Sequence, residues 1–376
     1  MNKTLISTGS QEATQAAKSM IEEGGNAFDA AVSAVFTSMT SEFALTGPAG
    51  GGAMLVKPAQ SSPMVYDFFV NTPIKSRIDN LDFFKAKINF GSSKQFFHIG
   101  KGSIAVPGTL AGLVTVHRDL GKLPMHIILE PAIILARNGY KINRQQAFIY
   151  QILEPIFTHT KESRSLLCNG DSLLSEGEIF TNPYFASFLE RVVKEGYSFF
   201  YKGDIAESIV ALAREGGLLD RESLENYSVI SRKPISTDFM DYRIFTNPPP
   251  SSGGSLIIFL LKLINQKHGE TVTLEQLVKA MAVTHQAREE VCDDPNNSSQ
   301  LFALLEDVAV KHYQNILSNM RVNSNDRLSS NGQGCTTHVS IMDKEGNCAS
   351  VTTSNGEGSG YVIPETGIML NNMLGE

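Results

Sequence analysis

The chain has 376 residues, 42% of them hydrophobic, enough to bury a large core in one domain or in two lobes. A net charge of −7, with Lys and Arg scattered rather than clustered, leaves no footprint for nucleic acid or an anionic membrane. The longest apolar run, Leu256 to Leu261, is broken by Lys262 and falls far short of the roughly 20 residues a bilayer helix needs, so no membrane partner is expected.

The first residues, Met1 to Gly9, lack a sustained apolar segment and a small-residue cleavage site, so they do not read as a secretory signal; the default expectation is a cytoplasmic protein. From about Gln11 to Glu23 apolar residues recur at helical spacing, and Gly24-Gly25 is a stop signal. Asn26 caps a second helix, Ala27 to about Met39, whose Ala and Ser content predicts close approach to a sheet. A Gly-rich loop, Leu45 to Ala53, feeds the strand Met54-Leu55-Val56. The order helix, glycines, strand is the reverse of a nucleotide-binding turn. Val65 to Phe69 reads as the next strand, and Asn71-Thr72-Pro73 turns the chain away.

Helical patterns follow at Ala111 to Leu120 and Met125 to Asn138 and continue to about Phe157, and Phe188 to Gly196 is an amphipathic helix with a glycine stop. Tyr242 to Phe245 is a strand ended by three prolines, after which Ser251-Ser252-Gly253-Gly254 opens a helix. His285, Arg288, Glu289 and Glu290 on a further helix read as an internal ion-pair group, since no second ligand set accompanies them. Cys168, Cys292, Cys335 and Cys348 have no C-x-x-C or metal-ligand spacing and read as reduced thiols, and no cofactor fingerprint occurs. Neither metal nor cofactor is therefore expected. Asn319 to about Gln333 is polar and aperiodic, an exposed linker.

Near the end, Thr336 to Met342 and Cys348 to Ser354 alternate on either side of a polar turn, which signals a β-hairpin. A three-residue loop Lys344-Glu345-Gly346 with Gly346 left-handed puts Thr336 opposite Ser354, where Cβ atoms are roughly 4.5–5.5 Å apart. Val339, Ile341, Ala349 and Val351 then share one face, and Thr336, His338, Ser340, Ser350, Thr352 and Ser354 share the other.

Thr336-Thr337-His338, the turn Asp343 to Asn347, Gly358-Ser359-Gly360 and Gly367 to Asn372 resemble the γ-glutamyltransferase family. So do Gly25 to Val32, Gly50 to Leu55, Val106 to Thr109, Phe200 to Gly203 and Pro248 to Gly254, so the resemblance runs over nearly the whole length. It implies an α+β fold, the αββα four-layer sandwich of the N-terminal-nucleophile hydrolases with a helical outer lobe. It also implies a precursor that cuts itself before Thr336 into a large-subunit region, 1–335, with a polar linker at about 319–335, and a small-subunit region beginning at 336. The implied partners are those two subunits, a γ-glutamyl substrate such as a glutathione-like amide, and an amino-acid, peptide or water acceptor.

By the same resemblance Thr336 is the nucleophile and Ser354 the hydroxyl that orients it; Asn355 contacts the substrate carboxylate, and Glu376 holds the substrate amine. Two positions depart from the pattern. Phe69 stands where the family places an Arg for the α-carboxylate, with Lys75 and Arg77 the nearest replacements, and Met373 stands where Gln or Glu assists the amine site. The sequence also stops at Glu376, before the Ser-Ser pair and glycines that form the family's oxyanion hole, so the expectation is a fragment of a longer protein. The same-fold alternative is an amidase or acylase for a non-glutamyl acyl group, and a third reading is a non-catalytic relative.

Overall fold

The computed structural model describes residues 3–75, 79–89, 94–264, 271–291, 298–320 and 336–375. Arg77, Cys292, Cys335, Glu376 and all but the first two residues of the expected linker lie outside them. The chain forms two compact units, one of residues 1–61, 66–230 and 331–376, the other of 62–65 and 231–330. Among the described residues no helix is long and apolar enough to cross a membrane.

The first unit is built on a mostly antiparallel ladder and one central helix. Strand β1 is Leu5–Ser7, helix α1 Gln11–Glu22, helix α2 Ala27–Ser41, strand β2 Gly51–Lys57 and strand β3 Met64–Phe68. Helices α3, Thr109–Leu120, and α4, Met125–Asn138, follow, and the chain returns as β4, Thr337–Met342, and β5, Cys348–Ser354. Five strands of the largest sheet run in the order β1-β4-β5-β2-β3, so the C-terminal hairpin occupies its middle.

Helix α2 starts where Asn26 predicts: the Asn26 carboxamide accepts the Phe28 and Asp29 N–H groups, and Asp29 returns a bond to the Asn26 N–H, a complete capping box. Every residue of α2 is buried. A helix hydrophobic or small on all sides belongs in a core, and α2 packs against α1, α3, α4, β4 and β5. The sheet face towards it carries Val339, Ile341, Ala349, Val351, Met54 and Val56, each at most 3% exposed. Burying six such side chains contributes roughly 1.5–3 kcal/mol for each of the larger ones, so this layer contact is a main source of stability. A helical layer on a sheet supplies two of the four layers of the expected sandwich.

The hairpin has the predicted register. Thr337 pairs with Thr353, His338 with Thr352 and so on to Met342 with Cys348. Gly346 has φ +91°, and its N–H donates to the Asp343 carbonyl at 3.1 Å, closing the three-residue loop.

A second core lies outboard, where Phe43, Tyr150, Phe157 and Phe180 pack with Ile88, Ile99, Leu153 and Met369. Here the predominantly helical stretch expected to about Phe157 contains helices Arg144–Ile152 and Glu154–Phe157, preceded by Tyr140–Lys141, which pairs antiparallel with Ile179–Phe180. Gly139, at φ +79°, lets the chain leave α4 for that pairing. The second unit has its own core, with Phe259 and Leu263 of helix Ser252–Ile264 against Val283 and Ala287 of helix Leu274–Val291 and Val310 and Tyr313 of helix Asp307–Asn319. On its middle helix the exposed side chains of His285 and Glu289 stand 3.3 Å apart.

Candidate active site

The site forms at one end of the sheet, where the hairpin's open end meets the Gly-rich loop. The register of β4 and β5 ends on Thr337 and Thr353, and Ser354 in turn pairs with Gly51 of β2. Continued by one residue, that register sets Thr336 across from Ser354. Thr336 is exposed and Ser354 half-buried. The Ser354 hydroxyl accepts the Gly356 N–H at 3.0 Å, which turns the chain sharply after the strand.

Alternation assigns the faces. Thr337 and Thr353, 3% and 0% exposed, point to the helix side. There the Thr337 hydroxyl donates to Glu42 Oε2 at 3.0 Å, and Thr353 shares a 2.7 Å hydroxyl pair with Thr46. Burial pushes the Glu42 carboxyl above its ordinary range, with the Ser38 and Thr337 hydroxyls working the other way. On the opposite face His338 bonds to Thr352 at 2.7 Å and Ser340 at 2.9 Å, with Ser350 at 3.3 Å. Burial lowers the His338 pKa from its ordinary value, disfavouring the charged ring.

Phe69 lies at the same end. Phe68, the last residue of β3, is fully buried against α3, and Phe69, one residue past the strand, is 52% exposed. A Cβ on Gly51 would lie 2.7 Å from the Val70 nitrogen, so glycine there lets β2 and the end of β3 close up beside Ser354. Tyr227 donates its hydroxyl to the Phe69 carbonyl at 2.8 Å and stacks on Tyr201 at 5.7 Å. The register thus sets Thr336, Ser354 and Gly51 in line, and the backbone of Phe69 and Val70 closes up against Gly51.

Asn355 is 4% exposed and turned inward: its Nδ2 donates to the Met369 carbonyl at 3.2 Å, and its Oδ1 is buried beside Gly50 with no partner among the described residues. One of the two Nδ2 hydrogens is therefore engaged with the Met369 carbonyl. Met373 is half-buried, its N–H donating to Asn371 Oδ1 at 3.0 Å. Glu376 lies outside the described residues, as does the Cys335 carbonyl.

Three side chains take roles that the local sequence does not announce, although Asn371 and Asn372 close the motif Gly367 to Asn372. Asn371 and Asn372 are fully buried, and Asn371 bonds to the Ala49 carbonyl and to both backbone groups of Ala105. Asn372 Oδ1 accepts the Glu357 and Gly358 N–H groups. Glu42 is the third, and it did carry a signal: it is the only charged residue between Asp29 and Lys57.

A mixed helix-and-sheet unit with this hairpin at its centre is the fold of the N-terminal-nucleophile hydrolases: it matches a gamma-glutamyltranspeptidase from Pseudomonas nitroreducens at TM-score 0.70 and 26% identity, over 86% of this chain and 95% of that one. The chain belongs to the gamma-glutamyltranspeptidase family, whose profile it matches over residues 13–376. It is similar to the glutathione hydrolase proenzyme of Escherichia coli, with 29% identity over 389 residues covering 98% of this chain and 66% of that protein. The cephalosporin acylase from Bacillus halodurans shares the fold at TM-score 0.79 and 22% identity, over 99% of this chain and 71% of that one. The chain spans 60–66% of the length of the glutathione hydrolases of E. coli, Arabidopsis thaliana and Schizosaccharomyces pombe that it matches.

Proposed function

We propose that this chain carries the nucleophile of an autoprocessed γ-glutamyl hydrolase or transpeptidase, with Thr336 as nucleophile and Ser354 as its orienting hydroxyl. The observation that carries the reading is the hairpin register, which sets an exposed threonine across from a serine at the open end of the central strands. In the precursor the Thr336 hydroxyl adds to the Cys335 carbonyl, the C–N bond breaks, and the hydroxyl proton passes to the departing amine, leaving an ester. Water then cleaves the ester, giving a Cys335 carboxylate and a free Thr336 amine. With a pKa of about 7.7–8.0 that amine keeps a neutral fraction at physiological pH and serves as the base for its own hydroxyl. Turnover repeats the chemistry on substrate: the hydroxyl attacks the amide carbonyl, the amine passes the proton to the leaving nitrogen, and water or an acceptor amine takes the acyl group.

Denaturing gels and N-terminal sequencing test it. The expected result is two bands, one beginning at Thr336, and a single uncleaved band for Thr336→Ala. A folded wild-type protein that stays whole, or a new terminus elsewhere, refutes it.

A second reading, an acylase for a non-glutamyl acyl group, is favoured by one observation: Phe69, half exposed just past β3 with its backbone against Gly51, offers an aromatic surface where a glutamyl site needs a cation. The acylase among the relatives supports keeping it. Comparing γ-glutamyl with aliphatic and aromatic acyl anilides separates the two.

A further inference from the structure

We propose that Glu42 is a positioning residue for self-cleavage: by accepting the Thr337 hydroxyl it fixes the start of β4, and with it the neighbouring Thr336 that attacks. The inference rests on the reading of Thr336 as nucleophile and adds to it a group on the far side of the sheet.

The placement is unfavourable unless it serves something. Glu42 is 8% exposed and follows directly on the last turn of α2, where the helix dipole disfavours a negative charge. Glu12, of the same sign, adds to that disadvantage. Room is made for the carboxylate all the same: a Cβ on Gly9 would lie 2.1 Å from Glu42 Oε1 and 3.0 Å from the Thr337 hydroxyl oxygen. The turn after β1, the end of α2 and the start of β4 therefore converge on this one group.

The other end of the same helix is tied to the other end of the same strand. Asp343, one residue beyond β4, accepts the N–H of Ala27, the first residue of α2, at 3.0 Å. Fifteen helical residues span about 22 Å, and the six steps from Thr337 to Asp343 span about 20 Å, so helix and strand match in length and are pinned at both ends. Under these two pins β4 cannot slide along α2, and Thr336 sits one residue beyond the Glu42 pin. Attack within a peptide demands near-exact placement of hydroxyl and carbonyl, and a displacement of about 1 Å is enough to cost two orders of magnitude in rate.

The experiment follows precursor cleavage over time, by gel and by mass of the new terminus, in Glu42→Ala, Glu42→Gln, Thr337→Val and the Glu42→Ala/Thr337→Val double variant, with far-UV circular dichroism confirming the fold. Glu42→Ala and Thr337→Val should each slow cleavage at least tenfold, and the double variant should be no slower than the slower single. Glu42→Gln, whose amide oxygen accepts the same bond, should restore most of the rate. A folded Glu42→Ala that cleaves within twofold of wild type overturns the proposal, and so does a Glu42→Gln as slow as the alanine variant. Should Glu42→Ala not fold, Thr337→Val against Thr337→Ser decides: equal rates overturn the proposal, and a slow valine with a near-normal serine supports it. Wild-type protein that never cleaves before Thr336 refutes the nucleophile reading instead, so the two failures are distinct.

Discussion

The Asp343 carboxylate accepts the Ala27 N–H across 316 positions of sequence while it also closes its own turn, taking the Glu345 and Asn347 N–H groups and the Asn347 side-chain amide. One side chain thus sets both the hairpin turn and the start of the central helix. Burial opposes its charge, but the bonds from Asn347, Ala27 and Glu345 together hold its carboxyl below the ordinary 3.8. A depressed carboxyl contributes stability that is present above the unfolded value and is lost as pH falls through the folded one. Wild-type stability should therefore drop below about pH 4, with Asp343→Asn showing a flatter acid limb. At neutral pH Asp343→Ala should cost about 2–4 kcal/mol, read from urea midpoints.

Ser354→Ala should leave the fold intact, since the residue is only half-buried, and should slow both self-cleavage and turnover. A neutral hydrogen bond is worth about 0.5–1.5 kcal/mol, or roughly 2- to 13-fold in rate, and more where charge develops. Unchanged rates of both processes would separate Ser354 from the nucleophile.

Phe69→Arg should be tolerated, because the ring is 52% exposed, and should raise the preference for a substrate bearing an α-carboxylate. A charged hydrogen bond of about 1.5–3 kcal/mol predicts a gain of about tenfold or more in the ratio of kcat/KM for a γ-glutamyl anilide over its decarboxylated analogue. No change in that ratio would place the carboxylate elsewhere.

Asn371→Ala should be among the most destabilising single changes outside the apolar core. It strips partners from the Ala49 and Ala105 carbonyls and from the Ala105 and Met373 N–H groups, in a place with no exposure. About 3 kcal/mol or more is expected in denaturant unfolding, at about 1–3 kcal/mol for each group left unpaired.

What the sequence disclosed was local. The Asn26 cap, the Gly346 turn and the alternation of β4 and β5 depend on neighbours within a few residues, and helix start, loop length and register all followed from them. What it withheld was distant: Glu42 meets Thr337 across 295 positions and Asn371 meets Ala49 across 322, and no periodicity encodes such a partner. The Tyr140–Lys141 strand is hidden for the same reason, its partner lying at Ile179–Phe180. The hairpin Phe84–Asn89 with Lys94–Ile99 has only a short local signal, the alternation of Lys85, Ala86, Lys87 and Ile88. The inward turn of Asn355 is set by Met369 and Leu45, again outside any local window.

The strand order has one further consequence. β4 is laddered to β1 through Leu5–Met342, Ile6–Ile341 and Ser7–Ser340, and β5 to β2 through seven pairs from Cys348–Lys57 to Ser354–Gly51. A cut before Thr336 would sever the backbone while leaving the C-terminal piece threaded between strands of the N-terminal one, hydrogen-bonded along both flanks. Such a nicked molecule has no interface to part along. Pulling the pieces asunder means dismantling the sheet and baring α2, so dilution alone would not dissociate it, and its two polypeptides would melt as one.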